Sequence, residues 1–193
     1  MNKRIRIPAF QAPQPPPAVA INQNPTLQLE AMYRRIWETS MHDMPFVNHA
    51  LRVEVVGFRR WQPGNEQNDS GDWVGAVITP WFLNLFVLPG GGALWSDRPS
   101  GERCNIAFPA GALEFISDDD ASAEIPAYQY CALITQVSQF DSQEAARAAA
   151  EGALEAIFTA PAVVQAPQNA LPDDLSEPPQ VSRRAFFKRV AGR

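Results

Sequence analysis

The sequence predicts an α+β domain: an antiparallel β-sheet with two helices packed on one face, flanked by flexible N- and C-terminal tails. Three observations lead there. The most apolar run, residues 73–88, is broken at Pro80 and bounded by Asp69-Ser70-Gly71-Asp72 before it and Pro89-Gly90-Gly91-Gly92 after it, which marks two successive buried strands. Apolar residues recur with a helical period over 29–37 and again over 146–157. Short stretches of alternating polarity fill the interval between them. A membrane helix is the rival reading of the apolar run. A span needs about 20 apolar residues, whereas this run is shorter, holds a proline and carries Asn84.

At the N-terminus, Lys3, Arg4 and Arg6 precede a proline-rich stretch without the apolar region of a secretory signal. Repeated proline fixes φ and removes donors, so residues 1–22 are expected to be an extended, flexible tail. Residues 23–160 then form a single domain, about 140 residues being enough for one core. The first helix is expected to begin at Asn24-Pro25, with Asn as cap and Pro pre-set for the first turn. Leu29, Met32, Tyr33, Ile36 and Trp37 fall at i, i+3, i+4, i+7 and i+8, one face that docks on the sheet. Such an aromatic stripe reads as core rather than as a groove. The helix stops before Pro45, in a segment that holds both histidines, His42 and His49. Their separation suits neither a helical i, i+4 pair nor a zinc site.

Leu51, Val53 and Val55 alternate with Arg52 and Glu54 in a half-exposed strand, with a bulge expected at Gly57-Phe58. Residues 65–72 read as a polar surface loop. After the central pair, 104–108 and 112–116 read as short strands around Pro109-Ala110-Gly111. The acidic stretch 117–124 lacks the ligand spacing of a calcium loop and is expected to be solvated. Residues 128–135 supply another strand, with Tyr128, Tyr130, Ala132 and Ile134 on one face and Gln129, Cys131 and Leu133 on the other. The second helix starts at Asp141, with Glu144 completing a capping box, and runs to Phe158. Its stripe of Ala146, Ala149, Ala150, Ala153, Leu154 and Ile157 is small enough for close approach to the sheet. Residues 161–180 read as a flexible linker. Beyond it, Arg183, Arg184, Phe186, Phe187 and Lys188 form a basic, aromatic end to the chain.

Composition excludes several functions. A net charge of −5, with no clustered cationic face in the central region, disfavours nucleic acid. Cys104 and Cys131 form no C-x-x-C, which points to reduced, buried thiols in a cytoplasmic protein. No nucleophile elbow, phosphate-binding glycine loop or metal-ligand cluster is present, so no residue suggests catalysis and no cofactor is expected. The central strands instead concentrate large aromatics, and Trp81, Phe82 and Phe86 are the expected partner-binding residues. A strand buried on both faces needs the same residues.

The order G-x-V-I-T-P-W-F-x-N-L-x-x-L-P, from Gly75 to Pro89, resembles the HybE/HupJ/HoxT family of nickel-iron hydrogenase assembly chaperones. Met41-His42-Asp43-Met44-Pro45-Phe46-Val47-Asn48 is similar to a second segment of that family, and the resemblance extends to the terminal S-R-R-x-F. It implies a non-catalytic chaperone for precursor subunits of an uptake hydrogenase, notably the small subunit with its twin-arginine signal, with the large subunit and other maturation proteins as further partners. Some members carry or work beside a rubredoxin, for which this chain has too few cysteines. Residues 182–188 share the order of a twin-arginine signal, but a working signal stands at the N-terminus, ahead of a long apolar stretch. Arg183, Arg184, Phe186 and Phe187 are therefore expected to act as a pseudo-signal that contacts the domain. Two alternatives remain open at this point. One is transient binding of a metallocluster through His42, His49, Cys104 and Cys131; the other is a structural adaptor in a maturation complex.

Overall fold

The computed structural model describes residues 16–64 and 70–159. Helix α1 (Thr26–Ile36) continues into a π turn (Trp37–Met41). Six strands follow: β1 (Glu54–Trp61), β2 (Asp72–Ile78), β3 (Leu83–Leu88), β4 (Arg103–Phe108), β5 (Gly111–Asp119) and β6 (Ala127–Ile134). A 3₁₀ turn (Val137–Gln139) leads into helix α2 (Gln143–Phe158). The strands form one sheet in the order β1-β2-β3-β6-β5-β4, antiparallel throughout. The expected α+β class, antiparallel sheet and two helices are all present.

The helices lie on opposite faces of the sheet, which corrects the expectation of one shared face. Val74, Ala76, Ile78, Leu83, Leu85 and Val87 join the core of Ala146, Ala150 and Ile157 from α2. Trp73, Val77, Phe86 and Leu88 join Leu29, Met32 and Tyr33 from α1. Every residue of β2 and β3 is buried. A strand that is apolar on both sides needs cover on both sides.

Two glycines set the packing distances. Gly57 and Phe58 oppose one position of β2 between the pairs Val56↔Ala76 and Arg59↔Val74, the expected bulge. Gly57 has φ +64°, open to glycine without cost, and a Cβ there would meet the Leu154 side chain of α2. The bulge turns Phe58 onto the α1 face, where it lies over Gly75 and occupies the space a Cβ would need.

The sheet curls around α2. β4 and β5 pair from Arg103↔Ile116 to Phe108↔Gly111, but β5 pairs with β6 only over Ile116–Asp119. The tip of the β4–β5 hairpin therefore leaves β6 and reaches the end of α2, where Ala110 N–H donates to Ile157 O at 3.1 Å. There Phe108, Trp61 and Phe158 meet with centroids 5.5–6.0 Å apart, bringing the two edge strands together.

Other boundaries shift for local reasons. The α2 cap is Ser142, whose Oγ accepts from Ala145 N, one residue later than expected. α1 begins at Thr26 with Pro25, rather than Asn24, at the N-cap position and no side-chain cap there; Asn24, one residue earlier, accepts from Thr26 N at 3.0 Å through Oδ1. Ser117, Asp118 and Asp119 of the acidic stretch belong to β5 rather than to a loop. Residues 16–22 pack on the domain instead of forming a free tail. Ile21 N–H donates to Pro89 O at 2.8 Å, and Ile21 O accepts from Trp73 Nε1 at 2.8 Å and from Arg60 at 3.2 Å.

Candidate functional site

β2 and β3 are joined by Thr79-Pro80-Trp81-Phe82, a chain reversal where the sequence predicts one. Pro80 suits the second position of a tight turn. Thr79, fully buried, closes the turn from both ends: its N–H donates to Phe82 O at 2.9 Å, and its Oγ1 accepts from Trp81 N at 3.2 Å and Phe82 N at 3.0 Å. Because β2 and β3 are central strands, the reversal sits at a strand end and not on a lateral edge.

A second segment is bound to it. Asn48 N–H donates to Pro80 O at 2.7 Å, and Asn48 Nδ2 donates to Val137 O at 3.0 Å and Phe140 O at 2.8 Å. Asn48 Oδ1 accepts from Ala50 N at 3.0 Å. One asparagine thus holds the 41–50 loop, the hairpin and the approach to α2 together. The two segments that carry the sequence resemblance are adjacent in space, joined by their own backbone.

On this support sits an aromatic ledge. Trp37 and Trp81 stack with centroids 6.1 Å apart and planes 9° from parallel. The π turn, closed by His42 N–H to Trp37 O at 3.0 Å, brings the following residues back beside the Trp37 ring. Single π turns of this kind are frequent at functional sites. His42 and His49 approach Trp37 at 5.0 and 5.7 Å and each other at 5.5 Å. Beneath, Tyr33 meets Phe82 edge-on at 5.3 Å and Phe86 at 5.9 Å. Burial holds the Tyr33 hydroxyl well above the usual tyrosine range, so it stays protonated. Trp37, Trp81 and Phe82 are half-buried, and Met44 and Phe46 of the adjoining loop are 43% and 60% exposed.

The expected partner-binding residues therefore divide. Trp81 and Phe82 stand on the ledge, whereas Phe86 has no exposed surface and supports the ledge from within the core. Arg183, Arg184, Phe186 and Phe187 lie outside the described residues. Met44 and Phe46 join the site without having been singled out for it, and Trp37, expected in the core stripe of α1, stands half-exposed on the ledge. Their signal was present: a tryptophan on the last turn of an amphipathic helix, followed by apolar residues flanking Pro45, is more than a core stripe requires.

The four residues of the metallocluster alternative do not converge. His42 and His49 flank Trp37, while Cys104 and Cys131 are buried in the α2 core. Burial pushes the Cys104 thiol up, away from the thiolate that metals and electrophiles select. Among the described residues no group of three His, Cys, Asp or Glu side chains could hold a metal ion, and no helix is long and apolar enough to cross a membrane. Chemically, the site is a rigid, mainly apolar ledge with two imidazoles at its margin, suited to covering an apolar segment of a partner.

Known proteins share this architecture. The family model described as "[NiFe]-hydrogenase assembly, chaperone, HybE" matches residues 24–189. The protein named "Hydrogenase expression/formation protein HupJ" of Bradyrhizobium diazoefficiens is 40% identical over 126 residues, 65% of this chain and 67% of that protein. The protein named "Probable rubredoxin HupJ" of Rhodobacter capsulatus is 34% identical over 132 residues, 68% of this chain but only 44% of that longer protein. The solution structure of HybE from Escherichia coli shares the fold, with a TM-score of 0.57 and 24% identity, covering 87% of this chain and 97% of that one. With both motif segments inside the matched region, this chain belongs to the HybE family of nickel-iron hydrogenase assembly chaperones.

Proposed function

We propose that this chain is a non-catalytic, cytoplasmic chaperone that holds precursor subunits of a nickel-iron uptake hydrogenase, above all the small subunit with its twin-arginine signal, before export. The observation that supports the reading is the ledge itself. Half-exposed tryptophans are costly to leave in water unless a partner covers them, and aromatic and methionine side chains are enriched at the centres of interfaces. Hydrogen bonds from Thr79 and Asn48 fix the ledge before any partner arrives. Binding then orders the client more than the chaperone, which limits its entropic cost.

Affinity isolation from cells that accumulate immature hydrogenase tests this, comparing the native chain with Trp81→Ala. The native chain is expected to recover the precursor small subunit with its signal still attached. Trp81→Ala should weaken recovery by tenfold or more, on the order of 2 kcal/mol as for an interface anchor, with only a small fall in melting temperature. Normal recovery by a variant that melts several degrees lower would place Trp81 in the core and the interface elsewhere.

A further inference from the structure

Away from the ledge, residues 16–23 and the β5–β6 connection enclose a cleft of about 790 Å³. Val19, Ile21, Ile125 and Pro126 give it apolar walls, and Asp97, Asp118, Asp119 and Glu124 line it with carboxylates. Glu124 is neutralised by Arg35, which donates two hydrogen bonds at 2.7 and 2.8 Å and holds the carboxyl down to about 2. Arg98, also in the cleft, is paired with Glu102 at 2.7 Å. Among the described residues, Asp97 and Asp118 accept from neutral donors: Ala18 N and Trp95 Nε1 for one, Ser100 Oγ and Tyr128 O–H for the other. Among the described residues no Lys or Arg pairs with Asp97, Asp118 or Asp119. The cleft thus combines apolar walls with three uncompensated negative charges, and Val19 is left 86% exposed at its mouth.

The chain carries a complement to it. Five of its 16 Lys and Arg fall within the last thirteen residues, which hold no Asp or Glu, and Phe186 and Phe187 lie among them. The family match runs to residue 189 and so includes this segment. Its point of departure, the end of α2, lies across edge strand β1 from the cleft. The Phe158 ring, at the end of α2, packs against Trp61 and under Arg59 at 3.8 Å, and the neighbouring Arg60 donates to Ile21 O and Asn22 O, which line the cleft. The 22 residues from 160 to 181 would span about 26 Å root-mean-square as a flexible chain. Such a tether gives an effective concentration near the millimolar range, so a weak contact is enough for occupancy.

We infer that residues 182–188 of this chain dock in the cleft, with Arg183 and Arg184 against Asp118 and Asp119 and with Phe186 or Phe187 on its apolar wall. The docked segment shields the cleft and competes there with any other basic, aromatic peptide. The inference stands on the cleft and the tail alone, independent of the ledge and of which subunit the chaperone holds.

The test uses the full chain, ¹⁵N-labelled and carrying a nitroxide on Ala185→Cys. Cys104 and Cys131 are buried, so the label goes to the new thiol. Docking predicts loss of amide signal for residues 18–23 and 121–125, recovered on reducing the label. Adding Arg183→Glu and Arg184→Glu, or raising salt to about 0.5 M to screen exposed charges, should abolish the loss. Signal loss at residues 79–82 instead, or nowhere on the folded domain, would overturn the inference. So would equal loss in a mixture of labelled chain and separate nitroxide-bearing chain, because the occupant would then be a second copy.

Discussion

Asp72 has no exposed surface, yet its carboxylate accepts four backbone hydrogen bonds, from Gly90, Gly92, Leu94 and Trp95, at 2.8–3.0 Å. The Pro89-Gly90-Gly91-Gly92 turn wraps this one side chain. A Cβ on Gly90 or Gly92 would collide with the backbone of Gly71 and Asp72, which explains two of the glycines by close approach. As a sequence, Asp72 looked like the last residue of a polar surface loop. Its burial could not be read there, because its donors lie 18 to 23 positions away. Asp72→Ala leaves four N–H groups without their acceptor, two of them fully buried and two half-buried. We expect a loss of about 3 kcal/mol or more, seen as a lower urea midpoint at unchanged m-value.

At the scale of elements, the ends of the helices are fixed by long-range polar contacts. Glu54 on β1 accepts from Arg147 at 2.6 and 3.1 Å and from Gln143 Nε2 at 2.6 Å, which locks the first turns of α2 to the sheet. Gln143 Oε1 also accepts from Arg52 N at 2.9 Å. Partial burial pushes the Glu54 carboxyl up, but the bonds from Arg147 and Gln143 outweigh it and hold it below its usual range. A carboxyl depressed in the folded state stabilises fully above its unfolded value of about 4.3 and ceases to do so as pH falls through the lower folded value. The melting-temperature gap between the native chain and Glu54→Gln should therefore be constant from pH 7 to 5, narrow below about 4.3 and close at lower pH. A gap that persists unchanged to low pH would mean that the ionised pair is not its source. The helices themselves were legible, as were the Ala146–Ile157 stripe and the bulge at Gly57, because each rests on spacing within one element.

On the scale of the whole molecule, the curled sheet closes where Trp61, Phe108 and Phe158 meet. This contact joins the two edge strands through side chains rather than through a ladder. If it holds the curl, Trp61→Ala and Phe108→Ala should each destabilise, and their double mutant should lose less than the sum. The coupling expected for a stacked pair is about 0.5–1.5 kcal/mol, read from a double-mutant cycle in urea. Strictly additive losses would mean that the edges are held independently. By itself the sequence determined the elements, their approximate bounds, the reversal at Pro80 and the family, because periodicity, turn chemistry and residue order are local properties. Only the tertiary structure decided that the helices cover opposite faces, that Asn48 joins the two motif segments, that Trp37 stacks on Trp81 and that Phe86 is core. Each of these depends on which distant residues the sheet order brings together, and an apolar side chain has the same local pattern whether a helix of its own chain or a partner covers it.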